Sequence, residues 1–128
     1  MQQQVIVTRT GIQRIVYTFV HSFNGFKWLV KNEAAFQQEL LLFVPLTLFA
    51  FWLDLPAMHT LLVMLSMVFV LFAEMVNTAI EAVVDRIGLE YHQLSGVAKN
   101  IGSALVLLSM ICSVAVWATV LCLNYANA

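Results

Sequence analysis

The chain has 128 residues, 62% of them hydrophobic and only 10% charged, with a formal net charge of −1. Soluble domains carry about 45–50% apolar and about 25% charged residues, so the composition excludes an ordinary water-soluble domain and implies an integral membrane protein. Six Lys and Arg residues in all leave no basic surface for nucleic acid.

The length suits one domain. Met1–Thr10 is polar and rich in Gln, so a frayed start without a cleavable leader is expected. From residue 11 to about 30, Ile12, Ile15, Val16, Phe19, Val20, Phe23 and Phe26 keep helical spacing, while Gln13, Arg14, Thr18, Ser22, Asn24 and Lys27 fill the other side. That pattern predicts a basic amphipathic helix lying in the membrane interface, with Trp28 as an aromatic anchor. A first span is expected over 34–53, long enough at ~1.5 Å per residue to cross and able to absorb Pro45. Asp54-Leu-Pro56 marks a turn, and a second span is expected over 57–84. A polar loop should follow from Asp85 to Lys99, and then a third span over 100–123. Ala98, Gly102 and Ser103 at its start permit close helix contact. The expected architecture is therefore all-α, with three transmembrane helices and one surface helix. Cys112 and Cys122, ten residues apart on the third span, face different directions and suit neither a disulfide nor a metal.

All six basic side chains fall on one side of such a topology. Arg9, Arg14, Lys27 and Lys31 precede the first span, and Arg86 and Lys99 follow the second. The positive-inside rule then puts the N-terminus and the 85–99 loop in the cytoplasm and the C-terminus outside.

The second span ends in Glu74-Met-Val-Asn-Thr-Ala-Ile-Glu-Ala-Val-Val-Asp85. At ~100° per residue Glu74, Glu81 and Asp85 fall within ~40° of one another along ~16 Å, with Asn77 beside them. An ionisable group in hydrocarbon costs roughly 2.5–3.5 kcal/mol on insertion scales and usually serves a function. Pairing with neighbouring helices is the plainer explanation, and it suits one such carboxylate better than three on one face. Glu33, Glu39, Arg14, His92 and Lys99 collect at the same end. Carboxylates without Cys suit Mg²⁺, which completes its shell with water and phosphate oxygens. Lys99 and Arg14 suit phosphate, and a deep carboxylate suits a lipid hydroxyl. These are the parts of a phosphoryl-transfer site, although neither a Walker A motif nor a kinase Gly-rich loop is present. Residue chemistry alone leaves enzyme and transporter both open.

The run from Glu74 to Asp85, continued by Arg-Ile-Gly-Leu-Glu-Tyr-His-Gln-Leu-Ser-Gly96 and Lys99, closely resembles the signature of the bacterial membrane diacylglycerol kinases, a family that includes undecaprenol kinases. Lys31-Asn-Glu-Ala-Ala-Phe-Gln-Gln-Glu39 and Trp52-Leu-Asp54 resemble its first-span motifs. The resemblance implies an ATP-dependent lipid kinase, homotrimeric, with active sites shared between subunits. By position, Glu74 would be the catalytic carboxylate with Asn77 beside it, and Glu33 and Glu81 would hold Mg²⁺. Arg14, Glu33, Glu81, Glu90, Tyr91, His92, Lys99 and Asn100 would meet ATP. Arg14, Glu39, Glu74, Ser103 and Trp117 would meet lipid. The family pattern has Lys-Asp where this chain reads Lys99-Asn100, and Tyr17 and His21 stand where a basic residue and a tyrosine are expected. Gly102-Ser-Ala-Leu favours diacylglycerol over undecaprenol as substrate. A small proton-coupled exporter built on Glu74, and a purely structural assembly, are the readings from other classes. His59, on the far side, is expected to be a simple interfacial residue.

Overall fold

The computed structural model describes residues 7–126, so the Gln-rich start up to residue 6 lies outside the described residues. Four helices follow one another, α1 (Ile12–Asn32), α2 (Ala34–Trp52), α3 (Ala57–Ile87) and α4 (Gln93–Tyr125), with no strand among the described residues. They fall into two compact units, Met1–Asn32 and Glu33–Ala128.

In the first unit, α1 begins after Gly11, whose φ of +67° is the left-handed conformation that glycine adopts without a Cβ penalty. Arg9 lies 3.5 Å from the centre of the Tyr17 ring, and Tyr17 in turn lies 6.1 Å from the His21 ring, one helical turn on. The two positions that depart from the expected basic residue and tyrosine thus form a short cation–aromatic ladder.

The second unit packs α2, α3 and α4 in antiparallel succession, α3 against α4 most extensively. Pro45 is accommodated inside α2. The turn after α2 places Asp54 at a φ of +51°, a conformation Asp tolerates better than most residues. Ala50, Val63, Met67 and Val120 form the buried core, and Phe43, Leu46, Leu55, Met64, Val116 and Trp117 pack against it. Small and medium side chains at these contacts let the helix axes approach closely. Outside that core Leu41, Leu48, Phe51, Trp52, Phe72 and Leu107 are exposed, more apolar surface than a water-soluble monomer sustains. α2, α3 and α4 are each long and apolar enough to cross a membrane.

Their lengths matter for the site. At 19, 31 and 33 residues they span ~28, ~46 and ~50 Å, against a hydrocarbon slab of ~30 Å. α3 and α4 are therefore each longer than such a slab is thick. The stretch read as a loop from Asp85 to Lys99 is corrected accordingly: only residues 88–92 leave the helices. α3 continues through Asp85-Arg86-Ile87 to a halt at Gly88, and α4 begins at Gln93. His92 starts α4, because its Nδ1 accepts the backbone N–H of Leu94 at 3.1 Å and so satisfies one of the orphan donors of the first turn.

Candidate active site

Glu74 sits on α3, seventeen residues after Ala57. If α3 enters the slab at Ala57, Glu74 lies ~26 Å in, just short of the opposite boundary, and Glu81 falls ~36 Å along, beyond it. Only 6% of Glu74 is exposed. It shares with Asn77, Ser103, Val106, Leu107 and Met110 an open cleft of about 340 Å³ between α3 and α4.

The antiparallel packing of α2 on α3 brings the start of α2 to the same end. Glu33 is the cap residue of α2. Its backbone is extended and its carbonyl accepts the N–H of Gln37 at 3.0 Å, while its carboxylate makes no capping bond. The charges of Glu33 and Glu81 both bear on Glu74, and that of Glu74 bears on Glu39. Glu33, Glu39 and Glu81 thus all lie within electrostatic reach of Glu74. Asn77 Nδ2 donates to Glu81 Oε1 at 3.4 Å, one turn along α3.

Three buried polar atoms in this region have no hydrogen-bond partner among the described residues: Glu39 Oε2, Asn77 Oδ1 and Thr78 Oγ1. Buried polar atoms are normally satisfied, so each marks a place where a ligand, a water or another chain is expected. Thr78 was not among the residues singled out from sequence. The available signal was its spacing, four residues after Glu74 and therefore on the same helical face.

Further along, Lys99 Nζ and Asp85 Oδ1 pair at 2.7 Å across α4 and α3, with both side chains about half exposed. Glu90 and Tyr91 lie in the short 88–92 loop. The Glu90 carboxylate folds back over Gly88, 3.2 Å from where a Cβ there would stand, and Tyr91 is 90% exposed. Asn100 is exposed on α4. Arg14 belongs to the other unit.

The expected lipid contacts do not share one depression. Glu39 and Trp117 line a groove of about 550 Å³ among α2, α3 and α4, together with Phe43, Leu46 and Met67, whereas Glu74 and Ser103 line the smaller cleft. Met110 borders both. Glu39, 8% exposed, is the one carboxylate on the apolar groove.

For a divalent ion the donors are hard oxygens. Among the described residues no three His, Cys, Asp or Glu side chains group tightly enough to cage an ion by themselves. A water-rich and phosphate-rich coordination shell asks only one or two carboxylates of a protein, which Glu33 and Glu81 would provide. Such an ion would need ligands from outside the chain to complete its shell.

Three helices long and apolar enough to cross a membrane, with a group of acidic side chains at one end of them, fit a polytopic membrane protein. The profile of the family described as prokaryotic diacylglycerol kinase matches residues 20–121. The chain is 45% identical over 112 residues to the diacylglycerol kinase of Escherichia coli (strain K12), which covers 88% of this chain and 92% of that one. It is 40% identical over 113 residues to the enzyme of that name from Pseudomonas aeruginosa, and 38% over 112 residues to that from Haemophilus influenzae. The chain belongs to the prokaryotic diacylglycerol kinase family, a family of lipid kinases.

Proposed function

We propose that the protein transfers the γ-phosphoryl group of MgATP to the free hydroxyl of diacylglycerol, giving phosphatidic acid and ADP. The observation that carries this reading is the position of Glu74, buried on α3 with Glu33 and Glu81 near enough for their charges to bear on it. A hydroxyl borne by a lipid reaches the protein at the level of the head groups, and a carboxylate there receives its proton as the oxygen bonds to phosphorus. The bond between the γ-phosphorus and the bridging oxygen breaks, and ADP leaves.

Glu33 and Glu81 are the ligands proposed for Mg²⁺, which would neutralise charge on the phosphate oxygens. Asn77 orients the reacting groups. Lys99, Asn100, Glu90, Tyr91 and His92 form the nucleotide side, with Nε2 as the ring nitrogen of His92 that capping leaves over. Glu39, Ser103 and Trp117 form the lipid side. Arg14 is retained on the resemblance alone, for nucleotide or lipid. The reading also takes α1 as an interfacial helix, the acidic end of the unit as cytoplasmic and the C-terminus as periplasmic. Homotrimer formation would cover the part of the acidic end that three helices leave open.

The test is transfer of labelled γ-phosphate from MgATP in mixed micelles, with diacylglycerol and undecaprenol supplied separately to wild type and Glu74→Gln. Label in diacylglycerol, lost by a factor on the order of 10²–10⁴ in the variant, is the expected result. Label chiefly in undecaprenol overturns the substrate, and label in neither lipid overturns the kinase.

A further inference from the structure

Gly102 on α4 faces Asn77 on α3 more closely than any side chain would allow. A Cβ on Gly102 would overlap Asn77 Oδ1, would press on Asn77 Cγ at 3.3 Å, and would meet the Asn77 backbone Cα at an ordinary 3.6 Å. The amide oxygen therefore occupies the space that every residue other than glycine fills with its own Cβ. Oδ1 is buried there without a hydrogen-bond partner, against a glycine Cα that offers at most a weak C–H···O contact. The other half of the same amide, Nδ2, points to Glu81 at 3.4 Å. One torsion thus decides both ends: with the oxygen lodged against Gly102, the nitrogen is held toward the carboxylates.

The geometry points to Gly102 as a positioning residue for phosphoryl transfer, one that acts through Asn77 by reserving room for its amide oxygen. This rests on the kinase reading above and assigns the control of one of its groups to a residue that touches no reactant. The distances also separate positioning from packing. The helix backbones tolerate a methyl at position 102, since the Asn77 Cα is at normal contact, and Ala is the better helix former. Only the amide has to move.

The experiment is a cycle of Gly102→Ala, Asn77→Ala and the double variant, each as the full chain in mixed micelles with MgATP and diacylglycerol. Gly102→Ala is expected to lower kcat on the order of 10–100-fold with KM nearly unchanged, the scale on which a misplaced group acts. Its thermal unfolding should match or exceed that of wild type. On the Asn77→Ala background Gly102→Ala should cost nothing further. The side-chain amide ¹⁵N resonance of Asn77, identified by its loss in Asn77→Ala, should shift in Gly102→Ala. Wild-type turnover in Gly102→Ala overturns the proposal. So does a double variant slower than Asn77→Ala by the full single-variant factor, which would make Gly102 a packing residue. An unmoved amide resonance overturns the cradle without reference to activity. Absence of transfer by wild type overturns the kinase reading instead, and is recognised by a zero rate before any variant is compared.

Discussion

Ser66 and Ser113, 47 residues apart in the chain, share a hydrogen bond of 3.0 Å across the buried α3–α4 seam. The Ser66 hydroxyl already donates to the carbonyl of Val63 at 2.7 Å, so its single proton is committed and Ser113 is the donor in the shared bond. Neither hydroxyl is stranded in the apolar core, and the seam is fixed in register by one directed contact.

Hydrogen bonds between membrane helices average about 0.6 kcal/mol and reach about 1.7 kcal/mol. Ser66→Ala, Ser113→Ala and the double variant, compared by unfolding in mixed micelles, are expected to give a coupling energy within that range. A coupling above ~2 kcal/mol would mean that the pair belongs to a larger network than this seam.

At the opposite end from the acids, Asn124 Nδ2 donates both to the Val120 carbonyl at 2.7 Å and to His59 Nδ1 at 2.9 Å. With the amide in that orientation Nδ1 must accept, so neutral His59 carries its proton on Nε2. Beside it the Tyr125 hydroxyl donates to the Leu53 carbonyl at 2.9 Å, tying the end of α4 to the end of α2. His59 is thus a fastening and not the simple interfacial residue expected from sequence. Asn124→Leu combined with Tyr125→Phe should lower stability by about 1.5–4.5 kcal/mol, as three lost bonds of ordinary strength would. Glu74 lies fifteen residues from His59, ~22 Å along α3, so turnover per folded molecule should not change. A fall in turnover at unchanged stability would overturn that separation of roles.

The salt bridge of Lys99 with Asp85 is half exposed, and such pairs add little to stability. On the proposed reading its value lies in holding the ammonium group where the nucleotide would bind. Lys99→Met should raise KM for ATP on the order of tenfold, the loss expected for one charge-assisted phosphate contact, with unfolding nearly unaffected. Asp85→Asn removes the holder and keeps the cation, so its effect on KM should be smaller. Steady-state kinetics over a range of MgATP concentrations decides this, and an unchanged KM in Lys99→Met removes Lys99 from the nucleotide side.

What the sequence made legible follows the reach of each physical signal. Apolar runs of about twenty residues announce spans on their own, so the three long helices and the start of α2 at Ala34 were readable. The face carrying Glu74, Asn77 and Glu81 was readable too, because it is a matter of spacing on one helix. The 85–99 segment was not. Where a membrane helix leaves the slab it is solvated on all sides, the apolar periodicity that identifies it disappears, and Asp85-Arg86 and Gln93–Lys99 resemble loop while remaining helical. The cap that starts α4 was hidden for a related reason: His92 reads as a ligand by residue type and acts as a cap by position. The approach of Glu33 and Glu39 to Glu74, and the separation of Glu39 and Trp117 from Ser103 into two depressions, depend on how helices pack and leave no periodic trace.

On the proposed reading, Asn100 bears on how strongly the site performs. It follows Lys99 on the exposed side of α4, where the family pattern to which the sequence is similar has an aspartate. A carboxamide accepts a hydrogen bond but brings no charge, so a donor or ion that meets a carboxylate in the family pattern meets only a dipole here. The difference between a neutral and a charge-assisted hydrogen bond is about 1 kcal/mol, which corresponds to roughly fivefold in rate if it acts in the transition state. Asn100→Asp is therefore expected to raise turnover several-fold. Because the position is exposed, the new charge needs no buried partner and unfolding should be nearly unchanged. If the gain appears in kcat at constant KM for ATP, the added charge acts on the reacting phosphate, and if it appears in KM alone, the charge acts on nucleotide binding. Turnover that stays level or falls would mean that a carboxylate at position 100 meets neither the nucleotide nor its ion.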